Sequence, residues 1–136
     1  MRGAMRLTIA VVGRLKRGPL NQLCADYLTR IPWRIDIKEV EARKPLSGPT
    51  LKAHEAELLR GVLPPDSFLV ALDERGDSLN SEGFARTLEK WTEMSPNGIA
   101  FTIGGADGLD PSLLAQARAR VAFGPQTWPH MMVRAM

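Results

Sequence analysis

The chain has 136 residues, 44% of them hydrophobic and 24% charged, with a formal net charge of +3. That length holds a single domain with a core large enough to need neither disulfides nor metals, and the apolar fraction excludes a disordered chain. The lone cysteine, Cys24, excludes an intrachain disulfide and fits a reducing compartment, and no apolar run approaches the ~20 residues of a membrane span. The opening MRGAM is too short before Arg6 to be a signal peptide, and Met5 reads as the original start, with the first four residues an alternative start or a cloning remnant. A cytoplasmic protein is expected, and its mild basic excess permits an RNA partner without demanding one.

Arg6 to Val12 (RLTIAVV) is rich in β-branched residues and stops at Gly13, which predicts a first buried strand. The loop that follows carries Arg14, Lys16 and Arg17. Leu20, Leu23, Cys24, Tyr27, Leu28 and Ile31 recur at helical spacing and predict a helix with one apolar face, ended by Pro32. Cys24 on that face reads as a packed core thiol. Ile35, Ile37 and Val40 alternate with polar residues, as in a half-exposed or edge strand. Beyond the polar loop 41–49, with Arg43 and Lys44, a second helix is marked by Leu51, Leu58, Leu59 and Val62, with His54 on its solvated side. Pro64, Pro65 and Asp66 break the chain before Phe68 to Leu72, a third buried strand. Asn80 or Ser81 caps a third helix that faces the core with Phe84, Leu88 and Trp91. Ile99 to Ile103 forms a fourth strand, Leu113, Leu114 and Ala117 mark a fourth helix, and Val121 to Phe123 is a short fifth strand. A loop from Gly124 to Pro129 leads into the start of a last helix at Met131, Met132 and Val133.

Strict alternation of strand and helix predicts an α/β fold with a mostly parallel five-stranded sheet and helices on both faces. Ligands in such sheets sit outside the carboxyl ends of the strands. The stretch IAFTIGGADGLDP, from Ile99 to Pro111, has the form of a ligand seat: a strand, a glycine turn, then Asp110 and Pro111 as N-cap and first turn of a helix. Its GGxxG spacing does not meet the dinucleotide fingerprint, and taken alone it is more often only a tight turn. The loops at the carboxyl edge are segregated in charge. Arg14, Lys16, Arg17, Arg43 and Lys44 stand on the first two, and Asp73, Glu74, Asp77, Asp107 and Asp110 on the next two. Such a division suits a small cofactor beside an anionic polymer, and it is also what plain solvated loops would show. The sequence holds no metal-ligand cluster, P-loop or serine-hydrolase motif.

Taken together, LDERG (72 to 76), FTIGGADG (101 to 108) and TWPHMMVR (127 to 134) resemble the RlmH family, also called YbeA, within the SPOUT superfamily. Its members are ribosomal RNA large-subunit pseudouridine N3-methyltransferases of bacteria. The family pattern is LDxxG at the third strand, F-x-I-G-G-x-x-G at the fourth and T-x-P-H-x-x-x-R at the last helix. MRLTIAVVGRLK and DYLTR also fit, so the likeness spans essentially the whole chain. The resemblance implies an α/β trefoil knot, S-adenosylmethionine held in it, a homodimer, and transfer of a methyl group to N3 of a pseudouridine in 23S ribosomal RNA. It carries cofactor binding onto Leu72, Asp73, Gly104 and Gly105, and onto Gly124, Pro125, Gln126, Thr127, Trp128 and Pro129. The glycine turn then becomes the middle wall of a three-loop pocket. Arg14, Lys16, Arg17, Arg43 and Lys44 are the RNA-binding candidates.

Two departures accompany the likeness. The family continues past Arg134 with a long helix and a tail bearing tyrosine, histidine and arginine, whereas this sequence reads to Met136. The expectation is a single domain over 1–136 whose knotted C-terminal helix and catalytic tail are missing, leaving His130 and Arg134 as weak catalytic candidates. Arg134 is alternatively a partner for phosphate, for the cofactor carboxylate, or for an intersubunit carboxylate. Gly124 replaces a serine usual in the last loop. Two further readings are a non-catalytic ligand- or RNA-binding α/β module and a SPOUT enzyme with a different RNA target.

Overall fold

A computed structural model describes residues 5–136, so the alternative start upstream of Met5 lies outside the described residues. The elements follow as β1 (Arg6–Val12), α1 (Pro19–Arg30), β2 (Arg34–Val40), α2 (Gly48–Val62), β3 (Phe68–Ser78), α3 (Ser81–Met94), β4 (Ile99–Ile103), α4 (Pro111–Gln116), β5 (Ala119–Ala122) and α5 (His130–Val133). All five strands join one sheet in the order β2-β1-β4-β3-β5, and every pairing is parallel. β4 pairs on both sides, with Ile99 opposite Leu7 of β1 and Phe68 of β3, and all its residues are buried. That double burial is why IAFTI is continuously apolar, whereas β2 alternates because it is an edge.

Two cores flank the sheet. On one face Ala56 and Leu59 of α2 and Leu113 of α4 pack on Ala10, Ala71 and Ala100, small strand residues that let the helices approach closely. On the other, Leu88 and Trp91 of α3 cover Leu7, Phe68, Val70 and Phe101, and Phe68 stacks on Trp91 with ring centroids 5.4 Å apart. α1 lies on this second face, but of its apolar positions only Cys24 is buried, while Leu23 and Tyr27 stay 43% and 47% exposed. Helical spacing foretold the apolar stripe and not what would cover it. Between α1, α3 and the C-terminal segment runs an apolar groove of about 220 Å³, floored by Ile9, Ile35 and Phe101 and edged by Tyr27, Trp33 and Met136.

Two strands differ from expectation. β5 begins at Ala119 and ends at Ala122, where Val121 to Phe123 was predicted, because Arg118 N–H donates to Leu69 O at 2.9 Å and sets the pairing earlier. β3 continues past Leu72 to Ser78, through residues with no β propensity. Its pairing with β5 breaks after Leu72 opposite Val121 and resumes with Asp77 opposite the same Val121. Residues 73–76 are therefore an excursion from the sheet. It closes at Gly76, where a Cβ would lie 2.6 Å from the backbone of Arg120 and Val121; only glycine lets the strands come back together. α2 begins at Gly48, earlier than its apolar pattern, with Pro49 in its first turn.

Candidate functional site

The glycine turn after β4 is shaped first by its own backbone. A Cβ on Gly104 would lie 2.6 Å from the carbonyl carbon of Gly108 and 2.7 Å from its oxygen. Gly108 N–H donates to Gly105 O at 3.0 Å, and the two residues form an isolated antiparallel bridge. The turn hands the chain to α4, whose N-cap Asp110 accepts from Ser112 N–H at 3.0 Å, while buried Leu109 pins it to the core. Gly105 rests on α2 and β1: a Cβ there would meet Glu55 Oε2 at 3.1 Å and Val12 at 3.3 Å. The bare backbone of Gly104 is thus demanded by protein contacts before any ligand is considered, whereas a side chain at Gly105 would only press on Glu55 and Val12.

At the carboxyl edge of β4, β3 and β5 opens a cleft of about 670 Å³. Leu72, Asp73, Gly104, Gly105, Gln126, Thr127, Trp128 and Pro129 all line it. Gly124 and Pro125 do not; the chain turns there, with Gly124 at φ +90°, between Phe123 and Gln126, which both line the cleft. Because β3 lies between β4 and β5, the middle wall is the 72–76 excursion, and the glycine turn is a flank. Glu74 accepts a short hydrogen bond from the Thr127 hydroxyl, tying the excursion to the last loop. Trp128 Nε1–H donates to Phe123 O at 2.8 Å, which closes that loop on itself. Sequence reasoning missed Lys52 of α2, Arg75 and Arg120, which bring positive charge into the cleft. Arg75 was visible only as a lone base among acids, and Lys52 and Arg120 had no motif to mark them.

His130 lies on the cleft wall, at the start of α5. Arg134 is turned the other way. Its side chain is 97% buried, pairs with Glu39 Oε2 at 2.5 Å and donates to Gly13 O at 3.1 Å, so it meets neither cleft nor solvent. The expectation of a phosphate, cofactor or intersubunit partner is replaced by an internal clamp from α5 to the ends of β1 and β2. Burial pushes the Glu39 carboxyl up, but the Leu15 N–H at 2.7 Å and the Arg134 guanidinium outweigh it and hold the pKa below the ordinary value. Arg14, Lys16, Arg17, Arg43 and Lys44 are all exposed on the loops after β1 and β2, adjacent strands on the far side of β4. Arg14 makes an exposed pair with Glu41 at 3.6 Å, worth little in water.

Glu55, beneath the glycine turn, is 9% exposed. Burial and then the nearby Asp107 charge raise its pKa, against a smaller opposing influence from His54.

The family described as Predicted SPOUT methyltransferase matches residues 5–136. The chain belongs to the SPOUT methyltransferase family. Membership carries methyl transfer and implies a trefoil knot in this parallel fold. Three similar SPOUT relatives are each named Ribosomal RNA large subunit methyltransferase H. Those of Rhodospirillum centenum and Paramagnetospirillum magneticum are 52% and 46% identical over 132 residues, and that of Dinoroseobacter shibae 44% over 140. In each case the match covers 97% of this chain and 87% of the relative. No helix among the described residues is long and apolar enough to cross a membrane, and none of their acidic, histidine and cysteine side chains gather into a metal-binding group.

The raised pKa of Glu55 makes a pH prediction. Between the ordinary glutamate value of 4.5 and the raised one, the folded chain holds a proton the unfolded chain has lost, so stability falls as pH rises through that window. Glu55→Gln removes the charge at constant size. Its melting temperature is expected to match the parent near pH ~4 and to exceed it near pH ~8, read by thermal unfolding at both.

Proposed function

We propose that this chain methylates N3 of a pseudouridine in 23S ribosomal RNA of the large subunit, with S-adenosylmethionine as donor, as a cytoplasmic homodimer. The observation that carries the reading is a family match over residues 5–136 that coincides with a cleft walled by all three motif segments.

The cleft suits the donor. Its volume of about 670 Å³ falls in the ordinary range for small-molecule sites. Asp73, Glu74 and Asp107 supply negative charge for a sulfonium and an ammonium, and Lys52 and Arg75 supply positive charge for a carboxylate. Leu72, Asp73, Gly104, Gly105 and the backbone of 126–129 are the donor-binding positions. When bound, S-adenosylmethionine supplies an electrophilic methyl group that leaves sulfur as a neutral thioether. The acceptor nitrogen is an imide N–H and must lose its proton, to solvent or to the His130 imidazole on the cleft wall, before its lone pair can bond to carbon. Lys52, Arg75 and Arg120 raise the local positive potential and so favour that anion. His130 adds an imidazole to the wall, while Arg134, held by Glu39, acts only as scaffold.

The basic loops extend the cleft toward the polymer. Arg14, Lys16, Arg17, Arg43 and Lys44 project from β1 and β2, so an RNA held there places a nucleotide at the neighbouring cleft. Dimerisation is supported by the apolar groove and by exposed Leu23, Tyr27 and Trp33 beside α1.

Three measurements test these assignments. Calorimetry with S-adenosylmethionine is expected to show one site per chain; no heat at any accessible concentration sinks the donor assignment. Neutralising Arg14, Lys16 and Arg17 together is expected to weaken binding to large ribosomal subunits and to flatten the log-affinity versus log-salt slope by roughly 2–3. An unchanged slope places the RNA elsewhere. Sedimentation is expected to give twice the chain mass, and Tyr27→Glu, which puts a charge into the apolar face, to shift it toward one.

A further inference from the structure

We infer that the indole face of Trp128 is the stacking platform for the base that receives the methyl group, an inference that rests on the RNA-methylation reading above. Trp128 lines the cleft and keeps 38% of its surface open. Its edge is already committed, because Nε1–H donates to Phe123 O at 2.8 Å. What the residue still offers a ligand is its apolar ring.

That ring is also held still. Thr127, the preceding residue, is hydrogen-bonded across the cleft to Glu74, and Pro129, the following residue, restricts the backbone on the other side. A rigid, open aromatic face at the rim of a cleft is what a flipped nucleobase needs. A base taken out of its stack loses π contacts, and an aromatic side chain returns them whatever the base is. The donor is the weaker candidate for this face. Small ligands are mostly buried in their sites, and the floor offers strand-end and glycine-turn backbone for that, whereas Trp128 stands on the exposed outer loop with exposed residues on both sides. Cations line the same cleft at Lys52, Arg75 and Arg120, so the phosphate chain carrying the base finds positive charge close by.

Trp128→Ala and Trp128→Phe in the full chain separate the alternatives, with two probes: large ribosomal subunits, and S-adenosylmethionine alone. Trp128→Ala is expected to weaken subunit binding by about 5- to 100-fold, the range seen when a stacking aromatic is removed, and to weaken donor binding by a smaller factor. Trp128→Phe keeps a ring and loses the N–H; it is expected to retain subunit affinity to within about 5-fold. If Trp128→Phe falls as far as Trp128→Ala, the residue acts through its bond to Phe123 and the inference is overturned. An equal or larger loss of donor affinity in Trp128→Ala assigns the ring to the donor and also overturns it, as does a Trp128→Ala protein that binds subunits normally. A parent protein that binds neither probe removes the RNA-methylation reading itself, an outcome distinct from all of these.

Discussion

Parallel pairing of β4 between β1 and β3 is the constraint on which the site depends. With five parallel strands, every carboxyl end emerges on one edge, and the order β2-β1-β4-β3-β5 sorts the loops there by charge. The loops after β2 and β1 fall together and carry the exposed cations. Those after β4, β3 and β5 fall together and enclose the cleft. Each group joins strands consecutive in the chain, but β4 rather than β3 stands next to β1 and so forms the boundary between them. Burying IAFTI on both faces is thus what turns scattered loops into a two-part surface.

A partly buried ion pair joins the two parts. Glu39, at the end of β2, accepts from Leu15 in the basic loop and from Arg134 just past α5, and Arg134 in turn holds the Gly13 carbonyl. Desolvating a guanidinium is costly, and one of its nitrogens, Nε, has no partner. Three oriented contacts offset that cost, and they give the last helix a defined seat beside the β1 loop. The arrangement is better understood as fixing geometry than as adding stability.

Most of the fold was legible because each element announced itself by period and punctuation. The strand RLTIAVV ending at Gly13, the cap at Asn80 and the Asp110–Pro111 helix start need only local chemistry, and the structure places them as read. What escaped was determined across the chain. β3 runs on through DERGDS because β5 pairs with it, an attraction invisible to local propensity. Arg134 looked like a ligand for an anion because it ends a motif, but its partner stands 95 residues earlier at Glu39. The three motif segments of the cleft were readable in order; Lys52 and Arg120 reach it by tertiary placement alone. Gly104 was read as making room for a ligand, and in the structure it first makes room for Gly108.

The break in β3 has an evolutionary consequence. Residues 73–76 leave the sheet opposite Val121 and rejoin it opposite the same residue, so the strand before and the strand after are aligned without reference to what lies between. Glu74 and Arg75 are exposed and hold no ladder position. Their chemistry is free to change, since the cost of substitution on such an excursion falls on the cleft and hardly at all on the core. Gly76 alone is bound by the return. A lineage of enzymes could retune the centre of this cleft at those two positions while the β-sheet that supports it stayed the same.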